Sequence, residues 1–394
     1  RLIAAAKERA PAYRRLFADL DPAEIRDRAA LARLPLTRKS ALLDEQRRDP
    51  PFGGFAAAPV SALSRIFASP GPLYEPEAPR PDFWRLGRAL YAAGFRAGDL
   101  VHNAFSYHLT PAGAMVESAA RALGCPVVPA GTGQSELQLR TIADLKPVGY
   151  AGTPSFLKVL FDRAAALGAE ISSLKKALVG AEPLPETLRA ELTGHGLTVL
   201  QCYGSADIGL IAYETMDEDG ALCEGMVVDE GLILELVAPG TGDPVGEGEI
   251  GEVVVTTLTP EYPLIRFATG DLSALLPGPS RCGRTNRRLR GWLGRADQSV
   301  KVRGLFVHPA QIAEILRRHP AIGRFRLVVE RPAAGDEMTL YVEPAPGANL
   351  GADDPARIAE TLQALTKLRG TVRPVPPGSL PEDARVIEDR RKFD

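Results

Sequence analysis

The sequence predicts an α/β protein in two parts. A large N-terminal part holds doubly wound sheets followed by a small β-barrel, and a small α+β C-terminal lid closes the chain. Three patterns carry this expectation. Between residues 82 and 202 helical periodicity alternates with short β-branched runs, the signature of a largely parallel sheet. Beyond about residue 208 the apolar runs shorten and are punctuated by Gly and Pro, as in a small antiparallel barrel. In the last hundred or so residues, helix patterns at 310–318 and 355–368 flank strand patterns at 325–330 and 338–342. The expected boundary falls between 1–296 and 297–394.

Within the first part, residues 1–50 read as short helices broken by Pro11, Pro22 and Pro35, packing material rather than chemistry. An alternating strand at 63–68 feeds the turn Ser69-Pro70-Gly71-Pro72-Leu73-Tyr74-Glu75-Pro76. Helices at 82–93, 112–123, 154–167 and 184–192 separate strands at 100–104, 126–129, 177–179 and 198–202. Ligands of such sheets gather outside the carboxyl ends of the strands. Two polar turns fall there, Gly180-Ala181-Glu182-Pro183 and Tyr203-Gly204-Ser205-Ala206-Asp207. Barrel strands are expected at 232–237, 251–257, 264–267 and 272–276.

With 394 residues, 45% apolar and 24% charged, the composition is that of an ordinary globular protein with substantial cores. A formal net charge of −2 excludes a global footprint for nucleic acid or acidic membrane. No apolar run is long enough to span a bilayer, so no membrane partner is expected. Cys125, Cys202, Cys223 and Cys282 are widely spaced, which fits a reducing cytoplasm rather than a disulfide framework. The opening on Arg1 instead of an initiator methionine leaves the true N-terminus open.

Taken with Arg266-Phe267-Ala268-Thr269-Gly270-Asp271 and Gly294-Arg295-Ala296-Asp297, the polar turns resemble, in order and spacing, the adenylate-forming superfamily, most closely its phenylacetate–CoA ligase branch. The resemblance covers nearly the whole chain. It includes Ala10-Pro11-Ala12-Tyr13-Arg14-Arg15, Leu34-Pro35-Leu36-Thr37-Arg38-Lys39 and Leu123-Gly124-Cys125-Pro126-Val127-Val128-Pro129, and also the stretch from Val302 to Ile312. It implies an AMP-forming acid–CoA ligase that activates a small, aromatic or other, carboxylic acid through an acyl-adenylate. ATP/AMP, Mg²⁺ and CoA are the implied cofactors, and CoA or a carrier-protein arm is the acceptor. A homodimer is compatible with it. The alternative is a degenerate member that binds nucleotide or acyl-adenylate without efficient adenylation.

By this resemblance Ser69 and Gly71 belong to the loop that wraps the triphosphate, and Gly180, Ala181, Glu182 and Pro183 lie along the adenine. Tyr203, in one turn with Gly204 and Ser205, lies against the adenine, Asp271 takes the ribose hydroxyls, and Arg295 contacts ribose or phosphate. Asp297 is the hinge of the lid, and Asp207 stands where a glutamate holds Mg²⁺. Each has a plainer reading beside it: a strand-end aromatic for Tyr203, a turn cap for Asp207, surface charges for Glu182 and Arg295. Tyr107, His108 and Gly131 are candidates for an acyl pocket, although such isolated residues are more often structural.

Several positions depart from the family pattern. In the phosphate loop, prolines remove N–H donors and Glu75 takes the place of a lysine, where a carboxylate repels phosphate. Near the end, Glu382 takes the place of the catalytic lysine, leaving Arg385 and Lys392 as candidate catalytic cations. The basic run 281–303 offers attraction for the phosphates of CoA, or simply a solvated face. Against the relatives' C-x-C-G-R-x-H, Ser280, Cys282 and Asn286 leave one possible ligand, so no metal is expected there.

Overall fold

The computed structural model describes residues 1–69, 73–238, 241–296, 300–307, 309–332, 335–381 and 385–391. The chain divides into two compact units, Arg1–Gly294 and Arg295–Asp394.

The parallel strands of the first unit lie in the order Val127–Pro129, Val101–Asn103, Gly149–Gly152, Lys176–Val179, Thr198–Ser205. Helices connect them, so the carboxyl ends of all these strands open on one edge, where ligands of doubly wound sheets collect. The connecting helices are capped by their own sequence. Thr153 Oγ1 accepts the Phe156 N–H at 3.3 Å, Pro154 occupies the first turn of Pro154–Leu167, and Gly168 ends it in the left-handed region at φ 64°.

At Thr198–Ser205 the pairing changes sense. Gly209–Tyr213 runs antiparallel to it, with Cys202 opposite Tyr213 and Tyr203 opposite Ala212. Antiparallel pairing continues through Met226–Val228, Arg288–Leu289, Phe267–Leu276, Ile250–Thr257 and Leu232–Val237. The antiparallel run expected from about residue 208 is thus hydrogen-bonded to the parallel strands as one sheet.

Successive residues of a strand face opposite sides of a sheet, so each strand here feeds separate cores. One core gathers Trp84, Leu90, Phe95, Leu178, Leu200 and Tyr213. Across the sheet, Ile142, Leu157, Leu160, Ala177 and Val199 form a second core, and Tyr13, Leu42, Ile211, Ala212 and Phe267 belong to a third. The N-terminal helices enter that third core through Tyr13, whose ring stacks on Phe17 at 5.2 Å and whose hydroxyl accepts the Ile265 N–H at 2.9 Å.

Two local features bear on function. Thr37–Arg38 adds to Phe267–Leu276 as a short parallel strand, and the helix Lys39–Arg48 starts directly after it. Residues 73–77, expected as the end of an open loop, instead pair with Arg65–Ser69 in a hairpin, Phe67 opposite Glu75. Leu73 is buried, and the Gln46 side-chain amide clamps both backbone groups of Tyr74 at 2.8 and 2.9 Å, which holds this strand in place.

The second unit is α+β. Its sheet runs Thr371–Pro374, Glu337–Pro344, Ile322–Glu330, Ile387–Asp389, with a small ladder between Val300–Val302 and Leu305–Val307. The helix Asp354–Thr366 covers the core through Ile358 and Leu362, with Leu327, Leu340 and Val342 beneath.

Candidate functional site

Lys39 is the residue the sequence reading missed. Its ammonium stands 2.9 Å from Asp207 Oδ2, and the Asp207 side chain is 2% exposed. The ammonium reaches the metal turn because residues 37–38 pair with Phe267–Ala268 and aim the start of the next helix at it. The opening segment, expected to be packing material, therefore carries a charge into the site. No local pattern marks Lys39, since the two partners are 168 residues apart.

Glu75 lies in the same cluster and is fully buried. Its Oε1 accepts the Ser69 hydroxyl at 2.5 Å. Burial, and then the neighbouring Asp207 charge, push the Glu75 carboxyl up to about 8, although Ser69 and Lys39 oppose this. At neutral pH Glu75 is therefore mostly protonated. Burial in the hairpin, which favours the neutral acid, weakens the repulsion of phosphate expected from a charged Glu75.

Without a nucleotide the donors of the described residues alone form no cage for a divalent cation. Asp207 presents one carboxylate, and one of its oxygens is held by an ammonium that would repel a metal ion. Among the described residues no group of three His, Cys, Asp or Glu could cage a metal ion by itself, although Mg²⁺ at a nucleotide needs only one or two carboxylates beside the substrate's phosphates. Glu75 Oε2 and Asp207 Oδ1 are buried without a hydrogen-bond partner.

The turn that carries Asp207 is rigidly placed. Arg85 Nη2 donates to the carbonyls of Ile208 and Leu210 at 2.7 and 3.0 Å while its Nε pairs with Asp229 at 2.9 Å. Ser205 Oγ accepts the Ile208 N–H at 3.2 Å. Gly209 takes φ 80°, and a Cβ there would meet the Trp84 carbonyl at 2.7 Å, so the close approach requires glycine. From the helix Glu186–Gly194, Arg189 holds Glu214 by two bonds of 2.6 and 3.0 Å, and Glu214 accepts the N–H of Gln201 on the strand Thr198–Ser205.

Tyr203 and Asp271 come together. The Tyr203 hydroxyl donates to Asp271 Oδ2 at 2.8 Å, and Trp292 Nε1 donates to Oδ1 at 3.0 Å. These bonds fix the carboxylate at the point where the Tyr203 ring leaves the sheet. In the neighbouring turn, Ala181 takes φ 65° after Gly180, Glu182 Oε2 accepts the Ser155 hydroxyl at 2.6 Å, and its carbonyl accepts Gln201 Nε2. Pro183 is half-buried there and Gly204 is exposed.

Of the acyl-pocket candidates, Tyr107 and Gly131 converge on Asn103, at the carboxyl end of its strand. Asn103 Nδ2 donates to the Tyr107 hydroxyl at 2.7 Å, and the Gly131 N–H donates to the Asn103 carbonyl at 3.0 Å. Gln138 Nε2 donates to the Gly131 carbonyl, and Gln138 Oε1 meets His102 Nε2 at 2.7 Å. His108 is exposed in the following loop. In the basic run, the Ser280 hydroxyl lies 3.0 Å from the Cys282 sulfur and Asn286 donates to the Val228 carbonyl.

Arg295 is the first residue of the second unit, on the short strand Gly294–Arg295, and Arg385 is exposed just before Ile387–Asp389. Gly71, Asp297, Glu382 and Lys392 lie outside the described residues.

Comparison with known proteins follows the same lines. Residues 85–259 match the family model "AMP-binding enzyme", and residues 304–391 match "AMP-binding enzyme C-terminal domain". The phenylacetate–coenzyme A ligase of Thermus thermophilus is 36% identical over 87% of this chain and 79% of its own length. That of Escherichia coli is 34% identical, over 86% of this chain and 79% of its own length. The chain belongs to the phenylacetate–CoA ligase branch of the adenylate-forming enzymes. Among solved structures, this ligase-family chain resembles 2-hydroxyisobutyryl-CoA ligase, captured with 2-HIB-AMP and CoA in its thioesterification state. The match has a TM-score of 0.82 and 26% identity, over all of this chain and 88% of that one. Adenylate-forming CoA ligases of this kind work with ATP or AMP, a small acid and CoA. No helix among the described residues is long and apolar enough to cross a membrane.

Proposed function

We propose that the chain is an AMP-forming acid–CoA ligase acting on a small carboxylic acid, and that it holds the acyl-adenylate far better than it makes one. The observation that carries this reading is the Lys39–Asp207 ion pair at 2.9 Å beside the buried Glu75. On this reading the Lys39 ammonium balances the charge of Asp207, where the resemblance puts a Mg²⁺ ligand.

Asp271, fixed by Tyr203 and Trp292, is the acceptor for the ribose hydroxyls. A carboxylate oxygen has two lone-pair sites, so one hydrogen bond from Tyr203 or Trp292 does not exhaust it. The Tyr203 ring and the turn Gly180–Pro183 flank the adenine. Tyr107, His108 and Gly131 serve the acyl group. Arg295, Arg385, Lys392 and the hinge Asp297 keep the roles that the resemblance gives them, and CoA, or alternatively a carrier-protein arm, accepts the acyl group. Lys39 supplies fixed positive charge near the phosphates. It cannot bridge two phosphate groups as a metal ion does, so pyrophosphate departure is the weak step.

Calorimetric titration tests this. AMP is expected to bind at least as tightly as ATP, with no dependence on Mg²⁺. Asp271→Ala is expected to lower AMP affinity by about 1–3 kcal/mol, because the ribose hydroxyls then lose a charged acceptor. Mg²⁺-dependent ATP binding tighter than that of AMP would overturn the reading.

A further inference from the structure

At the carboxyl end of the strand Val127–Pro129, the loop Ala130-Gly131-Thr132-Gly133 leads into the helix Ser135–Leu145. Gly131 and Gly133 take φ 70° and 74°, and a Cβ on either would meet nothing within 4 Å, so the loop borders open space. With glycine at two positions it has little stiffness of its own. Gln138 supplies the hold. From the start of the helix, and 3% exposed, it donates through Nε2 to the Gly131 carbonyl at 2.9 Å and to the Gly133 carbonyl at 2.7 Å.

The Gln138 carboxamide is oriented in turn by His102. Both amide hydrogens are spent on the loop, so Oε1 accepts from His102 Nε2, 2.7 Å away on the strand Val101–Asn103. His102 is fully buried, and burial pushes its imidazole down, so the ring is neutral at neutral pH with its proton on Nε2. Among the described residues His102 Nδ1 has no hydrogen-bond partner. Orienting Gln138 is thus the polar task of this ring.

The next residue of the same strand, fully buried Asn103, holds the facing loop. Its Nδ2 donates to the Tyr107 hydroxyl at 2.7 Å and to the Gly113 carbonyl at 2.8 Å, and the Tyr107 ring packs so closely on Gly113 that a Cβ there would lie 2.7 Å from it. Two loops therefore bracket one strand end, each held by a buried amide side chain. In the strand order this end lies two strands from the Gly180 turn and three from the Tyr203 turn, about 10 and 14 Å at ~4.8 Å per strand. An acyl-adenylate laid along the strand ends spans that distance.

We infer that Gln138 is a positioning residue for the acyl group: by holding the Gly131 and Gly133 carbonyls it fixes where this loop stands, and so which acyl groups the chain accepts. It acts through the loop and does not touch the substrate. A loop ordered in advance spares the acyl group the cost of ordering it on binding. The inference rests on the acyl-adenylate reading proposed above.

Calorimetric titration of the full chain with AMP, sulfamoyladenosine and the N-acetyl, N-butyryl, N-benzoyl and N-phenylacetyl derivatives of the latter tests it. In the wild type the preferred acyl derivative is expected to bind at least about tenfold tighter than unacylated sulfamoyladenosine. Gln138→Met, similar in size but without donors, should cut that advantage at least about fivefold and flatten the order of preference among the acyl groups, while AMP affinity stays within about twofold. His102→Leu should shift both in the same direction, and His102→Gln, which restores an N–H donor to the Gln138 oxygen, should recover the wild-type order. If Gln138→Met fails to fold, the two His102 variants decide. An unchanged acyl advantage in the deciding variant, or a parallel loss of AMP and acyl affinity, overturns the inference. Wild-type protein that binds AMP but shows no acyl advantage overturns it as well. Wild-type protein that binds neither AMP nor any derivative overturns the adenylate reading itself, and this inference with it.

Discussion

Lys39→Met is expected to destabilise the protein by about 2–4 kcal/mol in urea unfolding at neutral pH. Removing one partner of a fully buried ion pair typically costs about 3–5 kcal/mol, because the other charge is stranded in a low dielectric. Here the Asp207 side chain is 2% exposed but that of Lys39 is 40% exposed, which places the loss below the top of that range. The same substitution is expected to create a response to Mg²⁺, since the stranded carboxylate then has no ammonium to repel a divalent ion. Wild-type protein stabilised by Mg²⁺ as strongly as the variant would show that Lys39 is not the resident cation.

A second large effect is expected in the pH dependence of Glu75→Gln. Burial, with the Asp207 charge, raises the Glu75 carboxyl from 4.5 to about 8 in the folded protein. The folded state therefore keeps this proton to higher pH than the unfolded chain does. Its contribution to stability is complete below about pH 4.5 and is lost as pH rises towards 8. Glutamine mimics the protonated acid at every pH. The variant should match the wild type near pH 4.5 and exceed it at pH 8 by roughly 2–5 kcal/mol, each pKa unit corresponding to about 1.4 kcal/mol. Stability curves that stay parallel over this interval would mean that Glu75 titrates normally.

The parallel sheet and the second unit were legible because their hydrophobic periods are strong and their turns hold Gly and Pro at the right offsets. The polar turns at Gly180–Pro183 and Tyr203–Asp207 fall at strand ends, as strand–helix alternation requires. Lys39 was not legible as a site residue: its approach to Asp207 depends on a strand pairing between residues 37–38 and 267–268 that no local pattern specifies. Glu75 was legible as an anomaly but not in its charge state. Sequence shows a carboxylate among prolines, whereas only the hairpin and its burial show why the proton stays. The Arg85 clamp behind the metal turn was hidden likewise, since its partners Ile208, Leu210 and Asp229 lie more than a hundred residues away.

The two half-reactions, measured side by side, test most directly whether the chain makes its adenylate poorly but uses it well. Adenylation concentrates negative charge at the α-phosphate and on departing pyrophosphate, and on the proposed reading Lys39 beside Asp207, and Glu382 where the resemblance expects a lysine, both leave that charge under-stabilised. The loss of one well-placed electrostatic stabiliser typically slows a reaction by about a hundred- to a thousandfold. Acid-dependent exchange of labelled pyrophosphate into ATP, measured over a panel of small acids, is therefore expected to lie near the detection limit, while thioester forms readily from CoA and a synthetic acyl-adenylate. Exchange as brisk as thioester formation in the unmodified protein would contradict this.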